Sequence, residues 1–188
     1  MKKAVALLLM TASMVVGAAE IGGVKLEDNL KVGGSDLQLN GGGVRVKFGI
    51  AKVYVGALYT AQKTADANAV ISATTPRRMQ ISMLRDVAAE DLHSSFIDGL
   101  EDNTSSAEFA GFKPRIQEMN AIFQSVKEVK KGDVIALDFI PGKGTQITVR
   151  GQVKDVIAGD DFARALLKIW LGGKPASSDL KKGLLGSK

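Results

Sequence analysis

Val44-Arg45-Val46-Lys47-Phe48-Gly49-Ile50-Ala51-Lys52-Val53-Tyr54-Val55-Gly56-Ala57-Leu58-Tyr59-Thr60 is the stretch on which the fold turns. Val44, Val46, Phe48 and Ile50 alternate with Arg45, Lys47, Gly49 and Ala51, the period of two of a strand that buries one face. After Ala51 the phase slips by one, and Val53, Val55, Ala57 and Tyr59 share a side. Such a slip predicts a bulge, a sharp bend or a tight hairpin. Tyr54 and Leu58 fall on the opposite side, so both faces are expected to be covered there.

Working outward, residues 20–36 are rich in Gly, Lys and Asp and read as an extended lead-in with one short strand. Residues 37–40 read as another short strand, stopped by Gly41, Gly42 and Gly43. Downstream, 66–73 predicts a short helix and 78–86 a strand. Residues 88–102 predict a helix with Ala89, Leu92, Phe96 and Leu100 on one face. Its first turn holds Glu90 and Asp91, which suits the helix dipole. Pro114 opens a second long helix with an apolar stripe of Ile116, Met119, Ile122, Phe123 and Val126. Residues 134–139 and 146–149 read as paired strands around the turn Pro141-Gly142-Lys143-Gly144, and 153–157 as the next strand. A helix from Gly159 or Asp160 runs through Trp170 to Gly172 and Gly173. The last helix, 177–185, is capped by Ser177 or Ser178. Strands joined by hairpins, with helices grouped between and after them, predict an antiparallel α+β domain.

The N-terminus is read separately. Lys2 and Lys3 precede an uncharged, largely apolar run that closes with Gly17, Ala18 and Ala19. That order is the pattern of a secretory signal peptide, with cleavage expected after Ala19. Residues 20–188 then form one domain, periplasmic or secreted, with no stable membrane span after cleavage. The apolar run is shorter than the roughly 20 residues that a spanning helix needs. Removing 1–19 takes two lysines and no acid, lowering the formal net charge from +5 to +3. So mild a surplus, without a basic stripe interleaved with aromatics, argues against a nucleic-acid partner.

The chain has no cysteine and one histidine. Disulfides, thiol nucleophiles, thiolate metal sites and an N-terminal lipid on cysteine are thereby excluded. No metal or other cofactor is expected. Asn40-Gly41-Gly42-Gly43 leads into a strand, whereas a phosphate loop needs a following helix N-terminus. Gly142-Lys143-Gly144-Thr145 lacks the order of a P-loop. Both read as turns. His93 sits about 100° from the apolar stripe of its helix and reads as half-exposed. Adjacent carboxylates at 90/91, 101/102 and 160/161 mark helix ends and cannot share a proton. Arg45 lies opposite Val44 and Val46. It is either an exposed strand arginine or, if helices cover that face, a planar cation for a carboxylate or phenolate.

Gly43-Val44-Arg45, Lys52-Val53-Tyr54, Ala57-Leu58-Tyr59 and Ser82-Met83-Leu84-Arg85-Asp86 together resemble the chalcone isomerase-like family. So do Ile169-Trp170-Leu171-Gly172, Lys174-Pro175 and Leu184-Leu185-Gly186. The resemblance is to its bacterial, signal-peptide-bearing branch and covers about 24–185. It implies an open-faced β-sandwich, a large antiparallel sheet with a helical layer on one face and a ligand cleft between. In the plant enzymes of the family, a phenolate adds to an enone within one molecule. An arginine supports the negative charge, a threonine and a tyrosine polarise the ketone through water, and a lysine and an asparagine complete the pocket. By resemblance the arginine is Arg45. The threonine position falls on Gly49, and the tyrosine, lysine and asparagine positions on Leu92, Ser95 and Gly99.

Leu92, Ser95 and Gly99 share one helical face, which would be apolar and small-sided. Loss of such polar groups commonly lowers a rate about 10²–10³-fold each. The family's fatty-acid-binding members are the better precedent. The expected function is non-catalytic binding of a fatty acid or other small amphipathic carboxylate by Arg45, Gly49, Tyr54, Leu92, Ser95 and Gly99. The first alternative is an isomerase of the intramolecular lyase type, with Tyr54 or Tyr59 in place of the lost tyrosine. The second is an envelope protein-interaction module with a collapsed cleft. Nothing in the sequence identifies a protein partner.

Overall fold

The computed structural model describes residues 18–187. The leader expected at 1–19 lies outside the described residues as far as Gly17. Ala18 and Ala19 open the first strand, paired with Glu27 and Leu26.

Eleven strands and six helices follow in the order β1 (Ala18–Ile21), β2 (Val24–Glu27), β3 (Asn29–Val32), β4 (Ser35–Lys47), β5 (Ala51–Thr60), α1 (Ala67–Ser72), β6 (Arg77–Met83), β7 (Val87–Ala88), α2 (Ala89–Asp102), α3 (Ser106–Gly111), α4 (Lys113–Val126), β8 (Glu128–Val129), β9 (Val134–Ile140), β10 (Gly144–Val149), β11 (Gln152–Ile157), α5 (Asp160–Leu171) and α6 (Ser178–Leu184). Seven strands form one antiparallel sheet in the order β11-β10-β9-β6-β5-β4-β3. One face carries the main core, under α2, α4, α5 and α6. The opposite face carries a second core around Leu26, Leu37, Val55 and Tyr59, covered by the β1–β2 hairpin. This is the expected α+β open-faced sandwich.

The phase slip after Ala51 is a tight hairpin. β4 ends at Lys47, Phe48 and Gly49 turn the chain, and β5 begins at Ala51. Phe48 and Ile50, expected on the buried face, are therefore exposed at the tip. The lead-in also differs from expectation. It contains three short strands, because paired glycines at 22/23 and 33/34, all at positive φ, each allow a reversal. α3 was not legible in the apolar pattern because none of its residues is buried. It is held by a capping box between Ser105 and Glu108.

Asn40 to Gly43 is the main correction. The glycines do not stop a strand; β4 passes straight through them. The register against β5 shifts between Leu39 and Gly41, so Asn40 is a bulge. A bulge inverts the phase of the strand. Leu37 and Leu39 face the second core, but beyond the bulge Gly41 and Gly43 face α6. Arg45 inherits the phase of Gly41 and Gly43 and points to the helical side. Asn40 is buried, and its amide joins three segments. Its Nδ2 donates to the Leu184 carbonyl at 2.7 Å and the Thr64 carbonyl at 3.0 Å, and its Oδ1 accepts from the Thr64 N–H at 2.7 Å.

Tyr59 lies in the second core with 0% exposure. Its hydroxyl is buried and has no partner. Burial, reinforced by Glu27, pushes its pKa up to about 12. The unfolded chain loses this proton near pH 10 and the folded chain near 12, so stability is full below about pH 10 and falls as pH rises from there. Alkaline titration of chemical stability should show a decline on the order of 2–3 kcal/mol. Tyr59→Phe should flatten most of that decline without loss at neutral pH. An unchanged alkaline slope in the variant would move its origin elsewhere.

Candidate functional site

Between the sheet and the helical layer lies a cavity lined by β4, β5, β6, β9, β10, α2, α4 and α5. The space not filled by atoms is about 900 Å³, mouth included; the part that admits the centres of water-sized molecules is about 110 Å³. Ile81, Leu137 and Ile147 form the sheet wall, and Leu92, Phe96 and Phe123 the helical wall. These residues are apolar because each lies on the inward phase of its strand or helix. Arg45 is the one charged side chain in the lining; Tyr54, Ser95 and Trp170 are the polar-tipped ones.

Arg45 is half-buried and stands directly across the ladder from Tyr54. Its guanidinium carbon is 5.6 Å from the Tyr54 ring centroid, within cation–π range. Among the described residues no ion pair includes Arg45. Its planar fork of donors is thus open to an anion. Tyr54 is 3% exposed, and its hydroxyl accepts a 2.9 Å hydrogen bond from Trp170 Nε1. Burial pushes the Tyr54 phenol above its ordinary range, against the opposing pull of the Arg45 charge and the Trp170 bond. The phenol therefore keeps its proton at neutral pH, as a donor rather than a base.

The expected site residues separate into two groups. Arg45, Tyr54, Leu92 and Ser95 line the cavity together. Gly49 does not: it sits in the β4–β5 turn at φ 73°, with no atom near its absent side chain. Gly99 does not either. A Cβ there would stand 2.9 Å from Ile169 Cγ2, so Gly99 lets α2 and α5 approach each other. Helical spacing alone could not separate a cavity-facing position from a helix-facing one. Tyr59 is on the far side of the sheet. His93 is half-buried against Phe96 and Phe123, outside the cavity lining.

Trp170 was legible as an apolar helix position and as part of a stretch that carries the family resemblance, but not as a site residue. Its role as the donor that orients Tyr54 follows from burial, which obliges an indole N–H to find an acceptor. Tyr54→Phe leaves that N–H without a partner and should cost about 1–3 kcal/mol, read by urea unfolding. No measurable loss would mean that the Trp170 donor finds water.

The sequence matches the family model described as chalcone isomerase-like over residues 18–186. The chain belongs to that family. No curated protein matches it significantly. Among solved structures, the fold is similar to that of a fatty-acid binding protein of Arabidopsis thaliana. The TM-score is 0.70 at 13% identity, over 87% of this chain and 92% of that one. The likeness is one of fold. No helix among the described residues is long and apolar enough to cross a membrane.

Proposed function

We propose that the protein is a non-catalytic binder of a fatty acid or other small amphipathic carboxylate, held in the cavity between sheet and helices. The observation that carries this is an apolar cavity whose lining contains a single charge, the half-buried Arg45, which makes no ion pair among the described residues. An apolar chamber binds a hydrocarbon tail without direction. One cation at its edge selects a carboxylate head and sets its orientation. The Tyr54 O–H, held in place by Trp170, supplies a second donor beside Arg45. The fatty-acid binding protein that shares the fold supports the same ligand class.

The protein acts outside the cytoplasm of a bacterium in this reading. The basic start, apolar body and small residues before Glu20 support export. Cleavage after Ala19 leaves Glu20 and Ile21 of β1 paired with Lys25 and Val24.

The experiment is native mass spectrometry of protein recovered from the cell after processing. A bound carboxylate and a mass beginning at Glu20 are the expected results. A bare protein that also fails to bind added fatty acid in solution would refute the ligand reading. A retained leader would refute the export reading alone.

A second reading, an intramolecular lyase, draws on Tyr54 beside Arg45. A substrate phenolate oxygen would bond to the β-carbon of its own enone, the Arg45 charge would steady the anion, and the α-carbon would take up a proton. Leu92 and Ser95, at the positions of the plant tyrosine and lysine, offer nothing to polarise the ketone. Enantioselective cyclisation of a chalcone above background supports this reading. Racemic product at the background rate removes that reaction.

A further inference from the structure

We infer that the tip of the β4–β5 hairpin is a docking element for an anionic lipid surface. Phe48 and Ile50 are 85% and 87% exposed, and with Val46 they are three of the six exposed large hydrophobic residues among the described residues. Three such residues within five consecutive positions form one apolar point rather than scattered surface.

Local physics disfavours phenylalanine at this place. Phe48 has φ 54° and Gly49 φ 73°, and the Ile50 N–H reaches the Lys47 carbonyl at 3.4 Å. Phe48 and Gly49 are the left-handed central residues of the turn Lys47–Ile50, inside a three-residue loop between the paired Lys47 and Ala51, and Asn-Gly is the pair such a turn favours. A bulky side chain at positive φ is strained, and exposure gains nothing for an aromatic ring. Neither folding nor packing accounts for Phe48, which directs attention to a partner.

The surrounding charge identifies the partner. Along the two strands next to the tip, residues 43–55 contain Arg45, Lys47 and Lys52 and no acidic residue. Neither Lys47 nor Lys52 joins any ion pair among the described residues. The Lys47 ammonium lies 5.3 Å from the Phe48 ring centroid, so cation and apolar tip project together. Apolar side chains that enter the acyl boundary, with lysines at headgroup level, match an anionic bilayer surface. A second copy of the chain fits less well. The tip is far smaller than the roughly 1,200 Å² of a stable protein interface, and lysines on two copies would repel.

Arg45 lies two residues before Lys47 on the same strand, so docking brings lipid to the charged end of the cavity. This last step rests on the proposed ligand-binding function; the docking itself does not.

The test is co-sedimentation with vesicles, using protein processed in the cell and carrying the same N-terminus in every variant. Wild type should bind vesicles of mixed phosphatidylglycerol and phosphatidylcholine, more weakly at high salt, and bind pure phosphatidylcholine poorly. Phe48→Asn, which suits the turn, should retain or raise the melting temperature and weaken partition by about tenfold or more. Phe48→Trp should show blue-shifted emission and quenching by brominated lipid, beyond the signal of buried Trp170. Equal partition of wild type and Phe48→Asn, or no quenching in Phe48→Trp, would overturn the proposal. So would a Phe48-dependent dimer that ignores vesicles. Binding of a fluorescent fatty acid without vesicles reads the cavity separately. Phe48→Asn should leave that binding intact, and its absence in wild type would defeat the cavity reading alone.

Discussion

In the proposed function, Arg45→Ala should weaken fatty-acid binding by about 10- to 100-fold, the range for loss of hydrogen bonds to a charged group. Arg45 holds the one formal charge in the cavity lining, and no carboxylate among the described residues competes for it. The variant should fold normally, because Arg45 is half-buried and makes no ion pair among the described residues. Arg45→Lys should restore only part of the affinity, since a point charge does not reproduce the planar fork. Wild-type binding should be constant near neutrality and decline as pH falls through about 4–5, where a carboxylic acid takes up its proton. In Arg45→Ala that decline should nearly vanish. Equal affinity of wild type and variant in a fluorescence displacement assay would remove Arg45 from the site.

Gly41→Ala should destabilise the fold by about 3 kcal/mol, the upper part of the usual overpacking range. A Cβ at Gly41 would run into the backbone carbonyl of Gly183, and it would lie 2.8 Å from that of Leu184. Neither is the movable end of a side chain. The contact is reciprocal, because a Cβ on Gly183 would stand 2.5 Å from the Gly42 carbonyl oxygen. The glycines of β4 are thus the platform on which α6 lies. Forcing them apart would also pull Leu184 from the Asn40 amide. Thermal unfolding should shift down by roughly 6–12 °C for a domain of this size. Gly23→Ala meets no atom within 4 Å, although its positive φ adds local strain. A Gly41→Ala loss no larger than that of Gly23→Ala would show that α6 adjusts freely.

Much of the architecture was legible because hydrophobic period is a local property. The stripes of α2, α4 and α5 and the alternation of β6 reflect which face each element buries, and each was readable along the chain. The cleft residues Arg45, Tyr54, Leu92 and Ser95 came from the family resemblance and strand phase together. The short strands of the lead-in were hidden because their glycine turns leave four-residue strands, too short for a pattern. α3 was hidden because a helix with no buried residue has no stripe.

The sequence by itself determined the α+β class, the helical faces, the hairpin option at the phase slip and the exclusion of cysteine and His-cluster chemistry. Those properties depend on residue type and spacing alone. Tertiary structure decided what each face meets. It turned Asn40 to Gly43 from a stop signal into a bulge and a helix platform. It sent Gly99 to α5 rather than to the cavity, set Trp170 against Tyr54, and placed Arg45 under the helices with Phe48 in solvent. Each outcome depends on contacts between segments distant in the chain, and no local period records such contacts.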